Sequence, residues 1–365
     1  MDPELRTHDG LDGIAVAETE LSHVDGERGQ LILRGVGIER LAPNASVEDV
    51  CHLLWHGKLP DAGERERMRE RLYHGRARAF ALLPGLGDAL RMPDPMDALR
   101  AATAHLTEDA GDDAPALLVG AVVVFAAAHA RLRAGEPPVV PSEHLDLAAD
   151  YLRMLRGDAA PAPLVRALTT YLVTVSDHGM NASTFAARVV ASTGSDLVSA
   201  VVAAIGALKG PLHGGSPGPV LDMLDAIATP DHAETWLRSE LDARRRIMGM
   251  GHRVYRVRDP RAAVLEDALH ELARHAPATA RLKLARAVEH EAARLLDERK
   301  PGRALRANVE FNTAVLLEAI GLHRSLFSPT FAVARVVGWC AHVAEQRTRG
   351  RLIRPNARYI GSMPV

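Results

Sequence analysis

Four segments of the 365-residue chain concentrate side chains suited to acid–base or anion-binding chemistry. In SDHGMNASTFAAR, residues 176–188, Asp177, His178, Asn181 and Ser183 crowd a helix boundary, where Asp and Ser are equally ordinary caps. In LKGPLHGGSPGPVLDML, residues 208–224, His213 sits on a Gly-rich loop ahead of a helix expected near Val220. A helix N-terminus disfavours imidazolium, so this His can stay neutral and donate a hydrogen bond to a carbonyl; the alternative is a tight turn with a surface His. In RRRIMGMGHRVYRVRDPRA, residues 244–262, Arg244, Arg245, Arg246, Arg253, Arg256, Arg258 and Arg261 stand with His252 against one acid, Asp259. A charge run is ordinarily a solvated face, but here the GMGH loop interrupts it and sets backbone N–H groups beside guanidinium groups, a receptor for phosphate or carboxylate. In ALRANVEFNTAVLLEAIG, residues 304–321, Glu310 follows Asn308 at the start of an apolar helix. A carboxylate in the first turn ordinarily complements the helix dipole. It becomes a candidate base only if the other three segments converge on it.

The elements that must position these groups read as helices. Hydrophobic residues make up 47% of the chain but aromatics only 4%, the composition of an aliphatic core between packed helices. Residues 14–34 alternate short apolar runs, GIAVAETE and QLILRG, around the turn-rich VDGERG, which predicts a small hairpin. Ser46 with Asp49 predicts a capped helix that stops at 57–60. Further helical patterns begin near Gly63, after Pro95, and at Ala114, Leu145, Pro163, Ser183, His232, Ala262, Ala278, Asn312 and Pro329. The stretch GPLHGGSPGP, residues 210–219, holds four Gly and three Pro and cannot continue a helix, so it marks a hinge or an active-site loop.

Composition also excludes several classes. Lys plus Arg (44) nearly cancel Asp plus Glu (46), which argues against a basic nucleic-acid binder, so any anion site must be a local cluster. Cys51 and Cys340 have no CxxC or metal-ligand spacing and fit a reducing compartment, which makes a cytoplasmic location the expectation. The chain has no HExxH, which argues against a zinc site. The first thirty residues show no apolar signal region, and the apolar run 114–128 is too short to span a membrane comfortably and reads as a buried helix.

Together the segments resemble the citrate synthase family in its short bacterial form. The resemblance rests on His178 in DHGMNAST, His213 in GPLHGG, His252 in GMGHRVY, Arg261 in RDPRA, Glu310 in ANVEFN, Arg335 in ARVVGW and Arg354 in RLIRP, in the family's order and approximate spacing. ETELSHVDGERGQLILRGVGIERLA, HLLWHGKLP and PMDALRAA extend it over almost the whole chain. It implies an all-α homodimer of two-domain helical subunits, here with the small N-terminal β-hairpin. The large domain is expected over 1–214 and 315–365, and a small domain over 215–314 that closes on the substrates. It implies an acyltransferase that condenses acetyl-CoA with oxaloacetate and hydrolyses the product thioester, with no metal, no cofactor beyond the acyl-CoA co-substrate, and no nucleic-acid or membrane partner. Glu310 would be the base, His213 the donor to the thioester oxygen and His252 the donor to the ketone. His178, Arg261 and Arg335 would hold the carboxylates, with Arg354 reaching in from the partner subunit. Arg246, Ile247, Met248, Gly249, Gly251 and Arg256 would meet the CoA.

The sequence departs from the family pattern around the acyl group. Glu310 stands where Asp is usual, HGGSP replaces HGGAN, NVEFNTA replaces NVDFYSG, and Gly179 stands where Glu is common. A carboxylate displaced by about 1 Å can cost on the order of a hundredfold in rate, so a slower enzyme is expected unless the backbone compensates. The alternatives are a 2-methylcitrate synthase using propionyl-CoA and a weakly active paralogue that binds oxaloacetate or CoA.

Overall fold

The computed structural model describes residues 9–11, 13–108, 111–214, 218–251, 255, 257–275, 280–300 and 305–363. Among these it forms fifteen α-helices and one three-stranded antiparallel sheet. The sheet comprises β1 (Ser22–Asp25), β2 (Gln30–Leu33) and β3 (Val36–Gly37). Asp25 Oδ1 accepts the N–H groups of Glu27 (3.0 Å) and Arg28 (2.9 Å) and so closes the first turn. The expected hairpin is therefore present, but its first arm is SHVD and not GIAVAETE. The earlier run ends on another partner: the Glu20 N–H donates to Glu345 Oε1 (2.9 Å).

The helices that follow are α1 (Ile38–Leu41), α2 (Val47–His56), α3 (Ala62–Leu82), α4 (Pro95–Thr103), α5 (Ala114–Arg133), α6 (Leu147–Arg156) and α7 (Ala162–Thr174). Ser46 and Asp49 form the capping box expected of them, and α2 ends at Gly57 in the left-handed conformation. The apolar helix α5 is buried along almost its whole length and lies across α3. The two backbones touch at Gly75 and Gly120, where a Cβ on Gly75 would come within 2.2 Å of Ala116 O. Arg76 of α3 and Asp150 of α6 form a fully buried ion pair at 2.9 Å.

The second half comprises α8 (Ala182–Ser192), α9 (Leu197–Leu208), α10 (Gly218–Ile227), α11 (Ala233–Asp242), α12 (Pro260–His275), α13 (Ala280–Arg299), α14 (Val309–Ile320) and α15 (Phe327–Arg349). The helical pattern read from Ser183 is broken at Gly194, which adopts positive φ, and Asp196 caps a separate helix by accepting the Ser199 N–H at 2.7 Å. Helix α15 is buried through most of its length and packs on α2, α5, α7, α8 and α9. It is the post on which the candidate site is hung. Cys51 and Cys340 are buried, unbridged thiols.

Candidate active site

The loop between α7 and α8 lies directly on α15. Gly338 makes this possible, because a Cβ there would stand 2.5 Å from Ser176 O and 2.8 Å from Asp177 Oδ1. Asp177 is wholly buried; it accepts from Ser22 Oγ (2.5 Å) on one oxygen and from His342 Nε2 (3.1 Å) on the other. Burial pushes this carboxyl up, but His342, Arg335 and Ser22 outweigh it and hold it below the usual carboxylate range. The Gly179 N–H donates to Ser22 Oγ (3.0 Å), so both flanks of His178 are pinned, and the His178 ring meets the Tyr255 hydroxyl at 3.1 Å.

His213 follows α9 in a tight turn and contacts Ser183 Oγ through Nε2 at 2.8 Å. Trp339 Nε1 also donates to Ser183 Oγ (3.1 Å), and Asn181 Oδ1 lies 2.8 Å from the same oxygen. The single hydroxyl proton can serve either His213 or Asn181; when it goes to His213 Nε2, the ring turns an Nδ1–H outward. Burial, with the Arg335 charge added, pulls His213 down to about 4, so the ring is neutral at physiological pH. The expected neutrality thus has its cause in burial and in Arg335; Gly215 to Pro217, which precede α10, lie outside the described residues. The His213 ring stands edge-on to Phe331 (6.0 Å), and the Arg335 guanidinium covers that ring (4.7 Å). Arg335 is 1% exposed and anchored by donation from its Nε to Val175 O (2.7 Å).

Arg261 opens α12 and is held by Asp259 through Nε (3.1 Å) and Nη2 (2.8 Å). Burial pulls Arg335 down to about 10, with Asp177 opposing and Arg261 adding to the effect, so two buried guanidinium groups repel one another across the site. Asp259, paired with Arg261, and Asp177, acting on Arg335, offset part of this positive charge. Glu310 faces both. Burial raises its carboxyl to about 7, against the pull of Arg261 and Arg335 and with Asp259 reinforcing the rise.

Helix α14 starts three residues earlier than the pattern suggests because Asn308 caps it, accepting the N–H groups of Glu310 (2.9 Å) and Phe311 (3.2 Å). The same Asn308 reaches the Gly-rich loop: its Nδ2 donates to Gly251 O (2.7 Å) and its N–H to Gly249 O (2.9 Å), while Met250 bridges Ala307. Gly249 has positive φ, and a Cβ on it would stand 2.8 Å from Phe311 Cβ.

The structure therefore brings together His178, His213, Arg261, Glu310 and Arg335 from five separate stretches of chain. His252 and Arg256 lie outside the described residues. In the 246–251 loop Ile247 is buried while Arg246 and Met248 are exposed. Arg354 is exposed on the C-terminal segment beside Arg188, Gln346 and Arg351, away from the cluster of its own chain. Sequence reading missed Ser22, Trp339 and His342. Trp339 and His342 stand four and seven positions beyond Arg335 on one helix face, a spacing that could have found them. Among the described residues no group of three His, Cys, Asp or Glu could hold a metal ion.

A family model described as "Citrate synthase, C-terminal domain" matches residues 10–356. The chain is 39% identical to a citrate synthase of Haloferax volcanii, covering 96% of this chain and 95% of that one. It is 36% identical to a 2-methylcitrate synthase of Mycobacterium tuberculosis, over 96% and 90% of the two chains. A Thermoplasma acidophilum citrate synthase solved in ternary complex with carboxymethyl coenzyme A and oxaloacetate superposes with a TM-score of 0.87 at 27% identity, covering 99% of this chain and 97% of that one.

Proposed function

We propose, because this chain belongs to the citrate synthase family, that its site condenses acetyl-CoA with oxaloacetate and hydrolyses the citryl thioester to citrate and CoA. The observation that carries this reading is the gathering of two buried guanidinium groups, Arg261 and Arg335, with His178, His213 and a carboxyl raised to about 7. Oxaloacetate is a dianion with an electrophilic ketone, and bidentate guanidinium forks match its carboxylates. His178 completes the cradle. Arg261 and Arg335 are buried, so a carboxylate bound to them is stabilised more than it would be in water.

The ionised Glu310 carboxylate takes a proton from the thioester methyl group, and neutral His213 donates to the thioester oxygen as charge develops there. The resulting carbon nucleophile attacks the ketone carbon, whose oxygen receives a hydrogen bond from His252. Water then cleaves the thioester and CoA leaves as the thiol. The 246–251 loop and Arg256 hold the nucleotide end of CoA. Residues 215–314 act as a domain that closes over the substrates, with 1–214 and 315–365 as the body, and closure excludes water until the carbon–carbon bond has formed. Two chains pair, and Arg354 of each completes the other's site.

The 36% identity to a 2-methylcitrate synthase supports propionyl-CoA as the alternative acyl donor on the same residues. Thiol release on mixing oxaloacetate with acetyl-CoA or propionyl-CoA tests both. Wild type is expected to release thiol, Glu310→Gln to lose release, and Glu310→Asp to match or exceed wild type. Silence of wild type and Glu310→Asp, with oxaloacetate still raising the melting temperature, would replace the enzyme by a binding protein. Undiminished release in Glu310→Gln would remove Glu310 as the base.

A further inference from the structure

Beneath the His178 loop runs a buried polar chain that the proposed chemistry does not use. His342 Nε2 donates to Asp177 Oδ1 (3.1 Å), and Arg188 Nη1 meets His342 Nδ1 at 2.9 Å. Since a guanidinium nitrogen can only donate, Nδ1 accepts and the imidazole proton sits on Nε2, pointing at Asp177. Arg188 also donates from Nε to Gln346 Oε1 (3.0 Å) and pairs with Glu345 Oε2 (2.7 Å). Gln346 Nε2 in turn donates to Arg351 O (2.9 Å), and Ser192 Oγ accepts the Ile353 N–H at 3.0 Å.

Asp177, His342, Arg188 and Gln346 are all at most 4% exposed, at the seam between α8 and α15. Apolar side chains of similar volume would serve the packing of α8 against α15 at least as well, so stability does not account for the chain. Its two ends do. One end is the carboxylate next to His178, the other the backbone three residues before Arg354.

We propose that His342 and Arg188 are positioning residues for the dicarboxylate subsite. They fix the His178 loop through Asp177, and through Gln346 the root of the segment that carries Arg354. This rests on the reading of the site as an oxaloacetate site. Neither residue touches substrate. Each acts by removing freedom from backbone that does, so its loss weakens capture of the dicarboxylate and leaves capture of the acyl-CoA alone.

The test is steady-state thiol release by the full chain, with oxaloacetate and acetyl-CoA varied separately. His342→Leu removes both hydrogen bonds at similar volume, and His342→Gln restores an N–H where Nε2 stands. His342→Leu is expected to raise the KM for oxaloacetate roughly tenfold and leave that for acetyl-CoA within about twofold, with His342→Gln recovering to within about threefold of wild type. Should His342→Leu fail to fold, His342→Gln and Gln346→Leu carry the test, each expected to raise the oxaloacetate KM by about two- to threefold alone. A parallel rise in both KM values with a lowered melting temperature, and Gln no better than Leu, would overturn the proposal in favour of mere packing. So would an unchanged oxaloacetate KM. A wild-type chain that neither turns over nor is thermally stabilised by oxaloacetate would instead overturn the reading of the site, and this inference with it.

Discussion

Glu310 carries a conflict that its surroundings do not fully resolve. Burial lifts its carboxyl from 4.5 to about 7 even though two guanidinium groups pull the other way. As a base it must be ionised, so kcat/KM for acetyl-CoA is expected to fall about tenfold per pH unit below 7 and to level off above it, read from a pH–rate profile. His213, near 4, adds no limb between pH 5 and 8. Stability moves the opposite way. The folded state holds the Glu310 proton more tightly than the unfolded chain, so the stability this group contributes is lost as pH rises from 4.5 to 7 and none of it returns above. Glu310→Gln mimics the neutral form; its melting temperature is expected to exceed wild type at pH 8 and to match it at pH 4. His213 was legible in the sequence from its Gly-rich turn, and Glu310 from its place after Asn308 at a helix start, with its role as base given by the family resemblance. The reason for the neutrality of His213 was not, since Arg335 lies 122 positions further along the chain and spacing does not reveal it.

At the level of elements, the site depends on close approach of backbone. Gly338→Ala would drive a Cβ into Ser176 O and Asp177 Oδ1, lifting the His178 loop off α15. We expect destabilisation of about 1–3 kcal/mol, measured by denaturant unfolding, and a raised oxaloacetate KM. Asn308→Ala removes the cap of α14 together with the donor to Gly251 O. It should cost about 0.5–2 kcal/mol and loosen acyl-CoA binding more than oxaloacetate binding. Caps and breaks were the readable part of the elements: Ser46 with Asp49 and the stop at Gly57 are local chemistry. The break at Gly194, with its cap at Asp196, is equally local and was passed over, whereas the fate of GIAVAETE was missed because a tertiary partner decides it. Glu345, on the last long helix, takes the Glu20 N–H.

For the whole molecule, near-neutral composition conceals an uneven distribution of charge. A formal charge of −2 coexists with buried guanidinium groups converging from α12 and α15. If Arg354 completes the partner's site, mixing inactive Glu310→Gln with inactive Arg354→Ala under exchange conditions should restore about a quarter of wild-type activity, because each heterodimer holds one intact site. Thiol release after mixing checks this, and no recovery would show that each chain uses its own Arg354. The helical class was readable from composition and apolar period, whereas the long-range convergence on α15 became legible only through the family resemblance. The bridge between Met250 and Ala307, with Asn308 clasping Gly249 and Gly251, makes the loop proposed to meet CoA and the root of Glu310 a single tether. On the proposed reading, grip on the adenine end of CoA is then transmitted to the carboxylate at the reacting end. Acetyl-pantetheine, which keeps the thioester but lacks the nucleotide, should therefore turn over with a depressed kcat even at saturation, beyond any loss of affinity.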